Sequence, residues 1–508
     1  MPINKLFSRF IRLRMKEINK SLSAPIESSE AVFTDLFEQL CDTQFGEEHG
    51  VSYFNSTLPK DQFRGLIPIR TYDEFKPWIE RARRGELSVV WPGKTNWFAK
   101  SSGTTSDRSK YLPVTEESLK KGHYKGGRDL LSIFCEQRPN APLYAGKHLI
   151  IGGSSALHED GSGAYTGDLS AIIVRNLPPW VEMRRTPSRE ITLLEDWKVK
   201  VNLMAEKVAE EDVRILAGVP SWMLVVCKEV MRIKKVESLD EVWPNLWLYM
   251  HGGVGFDPYE SEFKSLIKSE NMHYMETYNA SEGFFALQDD LDRRDMALLL
   301  NHGIYYEFIP MSEFDVDRLD TMSTIELSDV ETGVDYAIVI STNAGLWRYL
   351  LGDVIRFTSL APYRIEIAGR TTSYINVVGE ELMISTAEKA LSMSLKSAGY
   401  SLKEFTVAPL FSEDSGNPIG HEWAVELQEE KPREMDAVEF ARILDKHLMD
   451  LNSDYSAKRS NDLVLQLPKV NFMPVGTFEG WLDSRGKLGG QHKIPRLSNS
   501  RKIIDEIL

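Results

Sequence analysis

A chain of 508 residues, 42 % of them hydrophobic and 27 % charged, is long enough for two or three domains with cores of their own. Asp and Glu outnumber Lys and Arg by 75 to 60, and the resulting charge of −15 argues against general affinity for nucleic acid or an anionic membrane surface, though not against a local basic pocket for a nucleotide. Cys41, Cys135 and Cys227 lie too far apart to suggest a disulfide framework or a cysteine metal site, and no apolar run is long enough to span a bilayer. The expectation is a cytoplasmic protein; its oligomeric state is left open, a monomer included.

Residues 1–90 read as mainly helical. A basic, helix-patterned start over 5–20, with Leu6, Phe7, Phe10, Ile11 and Leu13 apolar, is expected to lie against the core. Amphipathic segments over 29–41 and 72–84 follow, then a Ser/Thr-rich loop and a long helix over 116–135. The apolar strand His148-Leu149-Ile150-Ile151 ends in Gly152-Gly153-Ser154-Ser155. Beyond it His158, Glu159 and Asp160 could suggest a metal, but no second ligand cluster stands at a suitable spacing, so a solvated loop is expected.

Strands and helices then alternate. Arg214 to Val219 reads as a buried strand, with a helix opening at Pro220; further strands are Leu246 to Met250, stopped by His251-Gly252-Gly253, and His273 to Tyr278. Such repeats imply a parallel sheet covered by helices, with ligand loops at the strand carboxyl ends. From Gly303 the character changes to short alternating strands (304–309, 336–340, 353–357), as in an antiparallel barrel-like unit. After Gly369-Arg370 come a helix over 385–397, strands near Phe405 and Trp423, a helix over 436–452, and a last strand over 463–473. The expected architecture is α/β. A large amino-terminal domain (1–370) carries helix-covered parallel sheets and the barrel-like unit, and a small, mobile α+β domain (371–508) follows a hinge at about 368–380.

The most informative stretch is the loop Ser101-Ser102-Gly103-Thr104-Thr105-Ser106, five hydroxyls and a glycine in six positions, followed by Arg108 and Lys110. Small residues around a glycine let successive N–H groups point at an anion, hydroxyls add donors, and two cations suit a polyphosphate. Alone, such a loop is equally well a solvated surface turn.

Three loops in order sharpen that reading: Ser101 to Ser106, Tyr278-Asn279-Ala280-Ser281-Glu282-Gly283, and Trp347-Arg348-Tyr349-Leu350-Leu351-Gly352-Asp353. With Gly369-Arg370 and the terminal Gln491-His492-Lys493-Ile494-Pro495-Arg496, the chain resembles the auxin-responsive acyl acid–amido synthetases of plants and their bacterial relatives, a branch of the adenylate-forming superfamily that includes acyl-CoA synthetases and firefly luciferase. The resemblance implies an ATP- and magnesium-dependent ligase acting in two steps. A carboxylic acid and ATP give an acyl-adenylate and pyrophosphate; an amino acid's amine then attacks the acyl carbon and AMP leaves. A rotation of the carboxy-terminal domain between steps is implied as well.

Residue by residue, the resemblance and the chemistry together assign roles. The backbone of the first loop with the hydroxyls of Ser102, Thr104 and Thr105 would hold phosphates, Ser101 and Gly103 completing the loop. Tyr278 would stack on adenine or pack as a strand-end core aromatic, beside Gly252 and Gly253, which admit close backbone approach. Glu282 would hold Mg²⁺ between phosphates. Asp353 would accept hydrogen bonds from the ribose hydroxyls, and Arg370 would touch ribose or carry the hinge. Lys493 is the favoured catalytic cation, with Lys487 its rival.

Departures from the family pattern are Ala280 for a serine and Asn279 for a glycine, Ser281 being kept, and Leu350 where plant members have arginine. For the acyl pocket, Arg128, Val219, Trp222 and Met223 are candidates by position, core packing being the better reading of the last three. Two rival functions share the same residues: a thioester ligase using coenzyme A, and a nucleotide-binding protein without turnover. Neither the acid nor the amino acid is legible.

Overall fold

The structure, a computed structural model, describes residues 2–54, 59–101, 110–152, 157–159, 161, 163–194, 197–253, 255–371, 374–375, 382–411, 418–428, 436–452, 455–456, 459, 465–485, 494–498 and 500–508. It divides into two compact units: Met1–Leu351 with Arg356–Glu366, and Gly352–Ile355 with Ile367–Leu508.

The first unit opens with helices α1 (Pro2–Arg12), α2 (Met15–Ser23), α3 (Pro25–Cys41), α4 (Gln44–Glu48), α5 (Lys60–Leu66) and α6 (Tyr72–Arg83). The amino terminus lies against the core with only part of its apolar set, since Phe10 and Leu13 stand exposed. Ile11 and Ile18 are buried, and Arg12 and Arg14 pair with Glu136 and Asp129 at 2.6 Å. At the start of α6, Thr71 and Glu74 form a capping box, and Tyr72, Phe75, Ile79 and Ala82 bury one stripe of the helix.

Strands β1 (Trp97–Ser101) and β2 (Lys110–Val114) form an antiparallel pair that joins β4 (His158–Glu159) and β5 (Tyr165–Gly167) in a sheet of order β2-β1-β5-β4. The helix expected over 116–135 is present with a π-helical stretch, Ser118–His123, leading into α7 (Tyr124–Gln137). His158 and Glu159, expected in a loop, stand exposed on the two-residue β4.

The main sheet is built from β3 (Lys147–Ile150), β6 (Arg185–Thr186), β7 (Val213–Gly218), β8 (Leu248–Gly252), β9 (His273–Ala280), β10 (Gly283–Leu287), β11 (Met296–Leu298), β12 (Ile304–Pro310), β13 (Asp335–Thr342), β14 (Tyr349–Leu360) and β15 (Tyr363–Arg370). Its order is β12-β13-β14-β15-β11-β10-β9-β8-β7-β3-β6. Strands β9, β8, β7, β3 and β6 are parallel to one another. The crossovers supply α8 (Leu169–Arg175), α9 (Pro179–Glu182), α10 (Arg189–Thr192), α11 (Trp197–Val208), α12 (Pro220–Lys234) and α13 (Asp257–Leu266).

Side chains on the parallel strands alternate between two apolar layers. Ile215, Leu248 and Met275 pack with Ile11, Ile18, Ile133 and Phe134 of α1, α2 and α7. Their neighbours Leu216 and Tyr249 pack with Met204 of α11, Met223 and Val230 of α12, and Phe263 of α13. Burial on both faces is why these strands read as continuous apolar runs. The antiparallel strands expected from Gly303 onward are there too, and they extend the same sheet.

The second unit contains a short pair, β16 (Tyr374–Ile375) with β17 (Leu382–Met383), then α14 (Ile384–Ala398), β18 (Leu402–Phe411), β19 (Pro418–Leu427), α15 (Ala437–Leu451), β20 (Lys469–Met473), α16 (Thr477–Ser484) and α17 (Lys502–Ile507). Its sheet runs β18-β19-β20, with Leu391 and Leu395 of α14 and Leu444 and Leu448 of α15 packed on Phe405, Trp423 and Val425. Of the last strand expected over 463–473, residues 463 and 464 lie outside the described residues, and β20 begins at Lys469, just after Pro468, which has no N–H to give a ladder.

Candidate functional site

The carboxyl end of the parallel half of the sheet gathers the second motif. Strands β8 and β9 lie in parallel register with Gly252 opposite Thr277. A Cβ on Gly252 would fall 2.3 Å from the Thr277 carbonyl oxygen, so only glycine allows the two strand ends to meet. Gly253 is exposed, with φ +80°, and a Cβ there would meet Val219 at an ordinary 3.5 Å. Its glycine is required by backbone conformation rather than by space.

Thr277 locks the junction, its Oγ1 donating to the His251 carbonyl at 3.0 Å, with Asn279 Oδ1 3.3 Å from the same hydroxyl. The His251 imidazole is buried and stacked on Phe256 at 3.9 Å. Burial lowers its pKa to about 3, so the ring is neutral at physiological pH. Past Ala280 the chain reverses through Ser281 and Glu282 into β10, with Gly283 opposite Ala280. Asn279, Ser281 and Glu282 are half-buried. The structure thus brings Gly253, Asn279, Ser281 and Glu282 to one edge of the sheet.

Tyr278 is buried, its ring 4.8 Å from Phe285 and tilted by 46°. That is the packing of a core aromatic, one of the two readings its position allowed. Among the acyl-pocket candidates, Met223 is fully buried in the core and Trp222 packs partly against it. Val219 is half-buried beside Gly253, and the half-buried Arg128 turns its Nε to the Tyr124 carbonyl at 3.3 Å.

In the second unit, Arg370 Nε donates to Asp353 Oδ1 at 2.9 Å, and Thr371 N donates to the Gly352 carbonyl at 2.9 Å. Two positions that the sequence kept in separate motifs are therefore one ion pair. Arg370 Nε holds one oxygen of the Asp353 carboxylate.

A residue whose importance the motif alone did not show is Arg348. Its φ is +44° and its side chain is buried. The guanidinium donates to Glu307 Oε2 (3.0 Å), the carbonyls of Ile67 (2.8 Å) and Arg64 (3.0 Å), and Thr324 Oγ1 (3.1 Å). It ties α5, β12 and β14 together in the first unit. The sequence signal was a lone charge inside the apolar run 344–351.

Ser102, Gly103, Thr104 and Thr105 lie outside the described residues, as do Lys487 and Lys493. Ser101 is described as the last residue of β1, paired with Lys110 of β2, so that hairpin fixes both ends of the hydroxyl loop. After the position of Lys493, Ile494 is buried, the Arg496 carbonyl accepts from Val407 N at 2.8 Å, and the Arg496 side chain pairs with Glu388 and Glu404.

The chain matches the GH3 family N-terminal domain over residues 14–272, the GH3 central domain over 297–370 and the GH3 C-terminal domain over 380–502. It belongs to the GH3 family. Among GH3 relatives it is similar to the indole-3-acetic acid-amido synthetase GH3.4 of Arabidopsis thaliana, 21 % identical across 97 % of this chain and 93 % of that one. It is also similar to the jasmonoyl–L-amino acid synthetase JAR4 of Nicotiana attenuata, 24 % identical across 92 % and 90 %. Among solved structures, a GH3.15 acyl acid amido synthetase superposes with a TM-score of 0.77 at 17 % identity, over 98 % of this chain and 96 % of that one. A 2-hydroxyisobutyryl-CoA ligase in its postadenylation state superposes with a TM-score of 0.58 at 12 % identity, over 95 % and 91 %. The expected α/β architecture is the observed one, and it is the fold these solved structures share.

Proposed function

We propose that this GH3 protein is an ATP-dependent acyl acid–amido synthetase, a ligase that adenylates a carboxylic acid and passes the acyl group to an amino acid with release of AMP. What carries the reading is the edge formed by Gly252, Gly253 and Asn279 to Glu282, in a chain that matches three successive GH3 domains. Relatives named for joining indole-3-acetic acid or jasmonate to amino acids support it.

The residues fit a magnesium nucleotide. Glu282 offers one half-buried carboxylate on the tight turn between β9 and β10, and Mg²⁺ takes one or two such carboxylates with substrate phosphates. Bound there, the ion would draw charge from the phosphates during attack. The Gly252–Gly253 backbone admits the ligand closely, Tyr278 and Phe285 form a firm wall beneath it, and the hydroxyls of Ser102, Thr104 and Thr105 donate to phosphate oxygens. Asp353, steadied by Arg370, accepts from the ribose hydroxyls. Lys493 supplies the cation for charge building up as the carboxylate attacks the α-phosphorus.

The test is pyrophosphate release by the full chain over a panel of carboxylic acids, each with amino acids, with coenzyme A, or with neither. Acid-dependent release with amide product in the amino acid arm is expected. Turnover supported by coenzyme A and by no amine replaces amide synthesis with thioester formation, and ATP binding without release in any arm leaves only a binding protein.

A further inference from the structure

Lys200, on α11, is 0 % exposed. That is an uncommon place for a lysine, since an ammonium taken out of water is costly unless it is paired. Its Nζ donates at 3.1 Å to the carbonyl oxygen of Gly152, just past the carboxyl end of β3. The opposing charge is Asp168, itself buried, where β5 passes into α8. A Cβ on Gly152 would come within 3.2 Å of Ser170 Oγ, so α8 presses on the same point. The buried cation thus joins α11 to the chain just past the end of β3, with the Asp168 carboxylate as its opposing charge and α8 packed at the same point. Burial lowers its pKa to about 8, against which Asp168 works to retain the charge.

The order of the sheet says what this point borders. Along the ligand edge the strand ends run β9, β8, β7, β3. Each touches the next: a Cβ on Gly253 would meet Val219 at 3.5 Å, and one on Gly218 would meet the Ile151 carbonyl at 3.0 Å. A nucleotide at the β8 and β9 ends would leave the β7 and β3 ends as the adjoining stretch of this edge for the acyl portion of an adenylate. We propose that Lys200 is a positioning residue of the acyl-acid pocket, holding the end of β3 through Gly152 and so fixing the wall on which the acid rests. This inference depends on the amido-synthetase reading above.

The test uses the full chain with indole-3-acetic acid and 4-substituted benzoates as probe acids, pyrophosphate release as readout, and saturation curves for the best probe and for ATP. Lys200→Met is expected to raise KM for the acid roughly tenfold while KM for ATP moves less than about twofold, the mark of lost substrate positioning rather than general damage. Lys200→Arg, which keeps a cation and a donor, recovers part of the loss. Should Lys200→Met fail to fold, Asp168→Asn, which removes only the opposing charge, shows the same split between the two substrates. An unchanged acid KM in the folded variants, or equal rises for acid and ATP, overturns the inference while the wild-type reaction stands. Wild-type protein without acid-dependent release in any arm sinks the functional reading and this inference with it.

Discussion

Gly252 and Gly253 are adjacent, yet each is glycine for a different reason. At Gly252 a methyl group would collide with the Thr277 backbone at 2.3 Å, and the strands would have to separate. At Gly253 the space is open and the positive φ alone costs about 1–2 kcal/mol for an L side chain. Urea denaturation should therefore show Gly253→Ala losing about 1 kcal/mol, while Gly252→Ala loses more and changes the strand junction as well as the stability. Equal losses would mean that β8 and β9 can part at little cost.

Arg348 makes the complementary point about a buried charge. Truncation to methionine leaves Glu307, 1 % exposed, with one cation fewer and strands two carbonyls. Arg64 still reaches Glu307 at 3.1 Å, so the loss is expected near the lower end for a broken buried pair, about 3 kcal/mol. Thermal unfolding of Arg348→Met checks this. A shift no larger than that of a surface substitution would show that Arg64 and the Thr324 hydroxyl together satisfy the carboxylate.

Among the elements, the parallel strands β3 and β8 and the π-helical stretch share one electrostatic property: each buries an imidazole. Burial lowers His123 and His148 to about 4 and His251 to about 3. In every case the folded pKa lies below the unfolded value of about 6.5, so between those values the unfolded chain binds the proton and the folded one does not. The contribution to stability is whole above about pH 6.5 and is lost as pH falls toward the folded values. Lowering pH from 7.5 to 5.5 should lower the urea midpoint, each imidazole adding about 1 kcal/mol to the loss. His251→Phe, which keeps the stack on Phe256, should flatten that slope. A slope identical to the wild type would remove His251 from the explanation.

At the scale of the whole molecule, the two units carry different parts of the proposed chemistry. The glycine pair and Glu282 stand in the first, and the Asp353–Arg370 ion pair belongs to the second, as does the position of Lys493. Lys493→Ala is expected to abolish adenylate formation, read as acid-dependent pyrophosphate release, while ATP binding by calorimetry persists, because a cation needed only as charge develops adds little to ground-state affinity. Unchanged adenylation in that variant passes the role to Lys487 or to neither.

Much of this architecture could be read without coordinates because its causes are local. Continuous apolar runs such as 215–219 declare strands covered on both faces, and the stripe Tyr72, Phe75, Ile79 declares a helix with one buried side. The positions of the motif loops are local too, since glycine and small hydroxyl residues shape the backbone where they stand. What the chain could not disclose depends on partners distant in sequence. Whether Tyr278 faces solvent or Phe285, that Arg370 is the partner of Asp353, that Arg348 ties α5 to β12, and that Lys200 is buried against Gly152 all follow from strand order and register. The physical reason is that a side chain's burial and charge balance are set by whatever packs against it, and only tertiary folding chooses those neighbours.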